Sequence, residues 1–182
     1  MRRRFALAAL FLISTSPIFI LPAFAIDMPA RKPGLWELKM VFEGRSLPVT
    51  VMKQCVDPAT DKLMNANFGG SAQEACSKQE VTQSAGTIIV DAVCKFSDTT
   101  TTSHAVVTGS FDSAYTVNVT STREGGRPSP VAAPGAATHM TIQASWLGPC
   151  AAGQRPGDVI MADGITMNIL DLRKQSRPPA RR

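Results

Sequence analysis

The chain is poor in the groups that do chemistry. It has two histidines, His104 and His139. It has no G-x-S-x-G, no H-E-x-x-H, no phosphate-cradling glycine loop and no Ca²⁺-loop pattern. No C-x-x-C occurs, which removes support for a dithiol redox centre or a zinc site. No nucleophile–base pair or ligand cluster is legible, so no catalytic residue, metal or cofactor is expected and the chain does not read as an enzyme. Aromatics are 6% of the residues, so a core must be built largely from Val, Ile, Leu, Met and Ala. No repeat of fixed period is present.

Positive charge is scarce where a fold would be. The chain has 19 basic and 14 acidic residues. Three of the basic residues are Arg2, Arg3 and Arg4, and five more, Arg173, Lys174, Arg177, Arg181 and Arg182, lie in the last stretch. What lies between carries 11 basic against 14 acidic residues, net −3. The high isoelectric point therefore belongs to the two ends, and a nucleic-acid-binding surface is not implied.

What is there begins with an export signal. Arg2 to Arg4 form a positive n-region, Phe5 to Ile13 an apolar h-region, and Ala23-Phe24-Ala25 a small-x-small cleavage site. Ser14 to Pro17 and Pro22 interrupt the run, which argues against a retained anchor, so no transmembrane segment is expected after cleavage. Residues 1–25 are read as a signal peptide, 26–171 as one β domain, and 172–182 as a disordered basic tail. Of the 182 residues, 157 remain after cleavage, enough for a sizeable core.

The domain is organised around Pro33 to Phe42. Trp36, Leu38, Met40 and Phe42 alternate with Glu37 and Lys39, the period of a half-buried strand. His139 to Cys150 repeats it with Met140, Ile142, Ala144 and Trp146. Between them, Leu47 to Cys55 reads as a hairpin partner of the first strand. Asp57 as N-cap, Pro58 at the first helical position and Asp61 in the first turn open a short helix over about 57–67. Two further hairpins follow, Ser77–Gln83 with Thr87–Phe96 and Ser103–Phe111 with Ala114–Arg123. Glu124 to Ala136, rich in Pro and Gly, reads as a mobile loop. Asp163-Gly164 suggests a final two-residue hairpin. About seven strands and one short helix make an all-β antiparallel meander, a curved sheet or barrel-like, with Trp36 and Trp146 close where the first and last main strands meet.

Four cysteines in an exported chain read as two disulfides. Cys76 stands nine residues before Ala85, the centre of its hairpin, and Cys94 nine after, so they face each other. Cys55 then pairs with Cys150.

The rest of the polar inventory has plain explanations. His139 shares parity with Thr141 and Gln143, and His104 with Thr108 and Ser110, so both are expected on a solvated face. Asp57 and Asp61 are explained by capping. Asn118-Val119-Thr120 is a glycosylation sequon in form. The candidate ligand-lining residues are Trp36, Met40, Tyr115, Met140 and Trp146, on the apolar face of a sheet able to enclose a cavity. The expected partner is a small apolar ligand or an envelope component, and the alternatives are a cryptic periplasmic enzyme and a purely structural disulfide-stabilised domain.

Pro33-Gly34-Leu35-Trp36-Glu37, Gln54-Cys55 before a short helix, Cys76, Cys94 and the closing Ser145-Trp146-Leu147-Gly148-Pro149-Cys150 together resemble the domain-of-unknown-function family 3617. Its members look like small exported proteins of Gram-negative bacteria. The resemblance runs from about Arg31 to Cys150 or a little beyond and implies a periplasmic, mostly β domain. It implies no activity, cofactor or catalytic residue.

Overall fold

The computed structural model describes residues 28–44, 47–69, 75–127 and 133–175. The expected signal peptide, residues 45–46 of the first turn, part of the Glu124–Ala136 loop and residues 176–182 of the expected tail lie outside them.

All strands join one antiparallel sheet. In chain order they are β1 (Gly34–Phe42), β2 (Thr50–Val56), β3 (Cys76–Ser84), β4 (Thr87–Phe96), β5 (Thr99–Ser110), β6 (Ala114–Gly125), β7 (Thr138–Gly148), β8 (Asp158–Met161) and β9 (Thr166–Asn168), with helices α1 (Pro58–Gly69) and α2 (Ile169–Gln175). The order across the sheet is β3-β4-β5-β6-β7-β1-β2-β8-β9. The alternation in Trp36–Phe42 and Met140–Trp146 thus does place the first and last main strands side by side. Trp36 is the direct partner of Trp146.

The sheet is open. A closed meander would pair β2 with β3, but α1 occupies the connection between them and β8 takes the outer edge of β2. Satisfying that edge with β8 removes the backbone demand that would draw β2 toward β3. The barrel-like form of the expectation is therefore not adopted, and the sheet ends on β3 at one side and β9 at the other. Two further differences concern the C-terminal part. The Asp163-Gly164 hairpin exists as β8–β9, but four residues connect the strands. Met161 N–H donates to Ile165 O at 2.9 Å across that loop. The expected tail begins at Leu172, yet α2 carries the chain to Gln175, its start capped by Asn168 Oδ1 accepting from Leu170 N–H at 2.9 Å.

Helix α1 begins as the residues dictate. Asp57 Oδ1 accepts from Thr60 N–H at 2.7 Å, and Thr60 Oγ1 accepts from Asp57 N–H at 2.9 Å, a reciprocal cap. Those bonds from Thr60, backbone first and hydroxyl second, hold the Asp57 carboxyl below its ordinary range. Met64 then turns inward, and the core gathers at this end of the sheet: Trp36, Leu38, Val56, Met64 and Ala144, with Met52, Tyr115, Ile142, Val159 and Ile169 packed around them. The helices pack against β2 and β9, whereas the apolar rows continue across to β3.

Candidate functional site

The two faces of the sheet differ in chemistry, and the register says how. On one face, Leu38 lies beside Ala144 and Tyr115, Met40 beside Ile142, Val117, Val107 and Ile88, and Phe42 beside Met140, Val119, Ala105 and Val90. The five candidate ligand-lining residues all fall on this face, but in different settings. Trp36 has no exposed surface. Its ring lies 5.6 Å from that of Tyr115, which stacks on Phe111 at 4.7 Å. Burial pushes the Tyr115 phenol up, and the nearby Asp61 charge adds to this while Arg31 opposes it. Met40, Met140 and Trp146 are half-buried. An open depression of about 330 Å³ lies near the ends of β5, β6 and β7, with Thr108, Gly109, Tyr115 and Gln143 among its walls. Tyr115 is the one member of the five that borders it.

The Trp36 end is held by a buried ion pair that the sequence pattern does not announce. Arg31, 4% exposed, donates from its backbone N–H and from Nε to the two oxygens of Asp61, at 2.8 and 2.6 Å. Its Nη1 donates to Gln54 Oε1 at 2.8 Å, and Nη2 reaches Met64 Sδ at 3.4 Å. The guanidinium also sits 5.9 Å from the Trp36 ring centre. Asp61 therefore does more than meet the helix N-terminus, the role the first-turn position suggested. It binds the segment before β1 to α1. That segment is fixed further by Lys32 N–H donating to Phe111 O and by Trp36 Nε1–H donating to Lys32 O, both at 2.8 Å.

The glycine of Pro33-Gly34-Leu35-Trp36-Glu37 has its reason here. Gly34 has φ +135°, and a Cβ on it would meet Gly148 O and, at 2.6 Å, Trp146 Nε1. Trp146 Nε1–H donates to Pro33 O at 3.1 Å while Lys32 Nζ lies 3.7 Å above the Trp146 ring. Cys150, two residues past Gly148, is bonded to Cys55, the neighbour of Gln54. The opening motif, the Gln54-Cys55 pair and the closing Ser145–Cys150 motif thus converge on one structural junction.

The opposite face is polar, and it holds both histidines. Asp91, His104, Thr120 and His139 are successive partners on β4, β5, β6 and β7, so their side chains form one row. His104 Nδ1 lies 2.8 Å from Asp91 Oδ1, and His139 Nδ1 3.1 Å from Thr120 Oγ1. Glu43 N–H donates to His139 O at 2.9 Å, extending the row to the end of β1. The parity argument placed these residues on a solvated face, and they are there: His104 is 51% and Asp91 42% exposed. Parity did not show that the two histidines share a row. The two-residue turn at Ser97-Asp98 sets Asp91 against His104, but centring the next hairpin on Asp112-Ser113 would set His104 against Ser121, because that turn holds three residues, Phe111 to Ser113. Chemically the row offers an oriented imidazole at His104 and a hydroxyl beside an imidazole at Thr120. It lies on an exposed face, where water competes with any developing charge. Among the described residues no group of three or more His, Cys, Asp or Glu could hold a metal ion.

Both disulfides have the expected partners, Cys76–Cys94 and Cys55–Cys150. No helix among the described residues is long and apolar enough to cross a membrane. Comparison with curated proteins and with solved structures gives no match. A family model described as protein of unknown function (DUF3617) matches residues 31–150, from the arginine of the buried pair to the cysteine of the long disulfide, and the chain belongs to that family.

Proposed function

We propose that this is an exported, non-catalytic binding module of the bacterial periplasm, whose apolar sheet face accepts a small apolar ligand or an apolar segment of an envelope partner. One observation carries the reading. Beyond the junction packed by Trp36, Arg31 and α1, the same face presents Met40, Phe42, Met140, Val117 and Val119 in adjacent rows, all only half-buried. Two of these are methionines, whose flexible thioethers adapt to varied apolar partners. The open depression meets the polar face at Thr108, Thr116 and Gln143, none of which belongs to the histidine row, so that row is read as solvated surface.

Titration with fatty acids, isoprenoids and phospholipids tests the binding reading. A ligand on this face should change tryptophan emission saturably and raise the melting temperature. Linkage amounts to about 2.7 kcal/mol at a ligand concentration one hundred times Kd. Trp146, half-exposed at the rim, should report most of the change, and Trp36→Phe should leave most of it intact. No saturable response in any of the three classes leaves the structural alternative, a disulfide-stabilised domain acting through its surface.

Export is supported by the Arg2–Arg4, Phe5–Ile13 and Ala23–Ala25 pattern and by two disulfides, which persist in oxidising compartments. The mature protein should begin at Ile26. Intact-mass measurement on periplasmic extract checks this, and a mass that still includes Arg2 to Arg4 would contradict it.

A further inference from the structure

The apolar face of the sheet holds a single charge. Among the residues that β1 and β4 to β7 place on it, Arg123 alone carries a formal charge. The register sends Glu37, Lys39, Asp91, Lys95 and Glu124 to the polar face. Two more cations stand at the Trp36 end, and both are occupied: Arg31 is bound to Asp61, and Lys32 lies over the Trp146 ring. Arg123 is half-buried, and no carboxylate among the described residues forms an ion pair with it. Its Nη2 donates to Arg127 O at 3.2 Å and to Thr99 Oγ1 at 3.5 Å, and its other two side-chain nitrogens have no acceptor among the described residues.

The end of β6 fixes this group. Gly125 and Gly126 have φ of 72° and 71°, and a Cβ on Gly126 would collide with Thr99 Oγ1 and lie 2.9 Å from Arg123 Nη2. The backbone there packs against the guanidinium. From Arg123 inward the face changes by steps. Arg123 pairs with Thr101, Ser121 with Ser103, Val119 with Ala105, and Val117 with the buried Val107. Six residues of β6 separate Val117 from Arg123, roughly 20 Å at the rise of a strand. The order along the strand is cation, hydroxyl, apolar. That is the polarity of a molecule with an anionic head and a long hydrocarbon chain.

We propose that the ligand of this face is a long-chain carboxylic acid of the fatty-acid class, which rests on the binding role proposed above. Its carboxylate meets Arg123, with the Thr101 and Ser121 hydroxyls beside it, and its chain runs along Ala105 and Val119 toward Met140. A cation without a counter-charge on an apolar face is costly, and a carboxylate that reaches it there is held by a charge-assisted bond. One cation matches one acid. A single chain also suits the face better than the paired chains of a phospholipid. Thr101, Ser103 and Ala105 are small, and they leave a low strip one strand wide, flanked by Val90 and Val119 at the level of Ala105.

Calorimetric titration of the mature chain with laurate, dodecanol and dodecyl phosphate tests this. Laurate should bind saturably. Dodecanol should bind about tenfold to a hundredfold more weakly, the worth of a hydrogen bond to a charged group. R123Q should lower laurate affinity by the same factor and leave dodecanol binding unchanged. Circular dichroism should show its melt unchanged, since no ion pair of the fold is lost. The comparison of laurate with dodecanol needs no variant, so it stands even if R123Q folds poorly. Equal affinity for laurate and dodecanol, or laurate binding untouched by R123Q, would overturn the assignment of Arg123 while leaving an apolar binding face. Tighter binding of dodecyl phosphate than of laurate would overturn the carboxylate and assign the head to a phosphate. No binding of any of the three would overturn this proposal together with the binding role it rests on.

Discussion

Replacing Cys55 and Cys150 together by alanine should lower stability by about 4–5 kcal/mol, against about 3 kcal/mol for Cys76 and Cys94. The difference comes from loop length. The first bond joins residues 95 apart and the second residues 18 apart. Closing the longer loop removes more freedom from the unfolded chain, and the dependence is logarithmic, so the shorter loop nested inside it changes the figure little. The native state adds to the same order. Cys55 has no exposed surface and sits next to the buried Gln54, whereas Cys76 and Cys94 are half-buried near the edge strand β3. Urea unfolding of the two double variants measures both quantities. Besides the loss in midpoint, C55A/C150A should show the larger rise in m-value, because its unfolded chain expands more. Equal losses from the two pairs would show that residual structure in the unfolded chain, and not loop closure, governs their contribution.

The pairing of Cys76 with Cys94 was legible, though by a route the structure corrects. Counting nine residues either side of Ala85 centres the hairpin on that residue. In the structure the turn is Ala85-Gly86, with φ of 49° and 80°, and the strands pair as Ser84 with Thr87 through Lys78 with Val93. That register alone would set Cys76 against Lys95. A register shift between Cys76 and Lys78 brings Cys76 back opposite Cys94. Period-two alternation identified strands such as β1 and β7 because each has one face on apolar neighbours, and short turns tied neighbouring strands, including the mostly exposed β3, into hairpins.

What alternation cannot carry is contact between segments that lack a period. Arg31 lies before β1, outside any strand pattern, and its partner Asp61 is thirty residues on. Asp61 already had a sufficient local explanation in the first turn of a helix, so nothing in the spacing asked for a second one. Helix α2 was hidden in a different way. Its last turn, Leu172 to Gln175, is basic and continuous in composition with the residues after it, and only seven residues form it. Such a helix depends on packing against β9 and α1, which composition does not encode. The openness of the sheet was hidden for the same reason. It depends on whether β8 or β3 reaches the edge of β2, and that choice is made by the position of α1.

The buried pair sets the second large effect. Asp61→Ala should destabilise by roughly 3–5 kcal/mol, because it leaves the Arg31 guanidinium in the interior among neutral groups such as Gln54, Met64 and the Trp36 ring. Arg31→Met should cost a similar amount, because the buried Asp61 carboxylate loses the guanidinium charge while keeping a neutral donor, the backbone N–H of residue 31. The two losses should not add. Arg31→Met with Asp61→Leu removes both charges at once, and apolar replacement of a whole buried pair is often neutral or better. The double variant should therefore be more stable than either single one, with a coupling of several kcal/mol in a double-mutant cycle. A double variant as unstable as the sum of the singles would show that each residue acts through separate partners. Tryptophan emission supplies a structural readout. The Arg31 backbone N–H is tied to Asp61, and one residue on, Lys32 O accepts from Trp36 Nε1–H. Loss of Asp61 should thus loosen the segment over Trp36 and shift its emission to the red before the sheet itself unfolds. Hydrogen exchange should place that opening at the Arg31–Gly34 segment and α1, with β4 to β6 still protected, since those strands draw their bonds from one another.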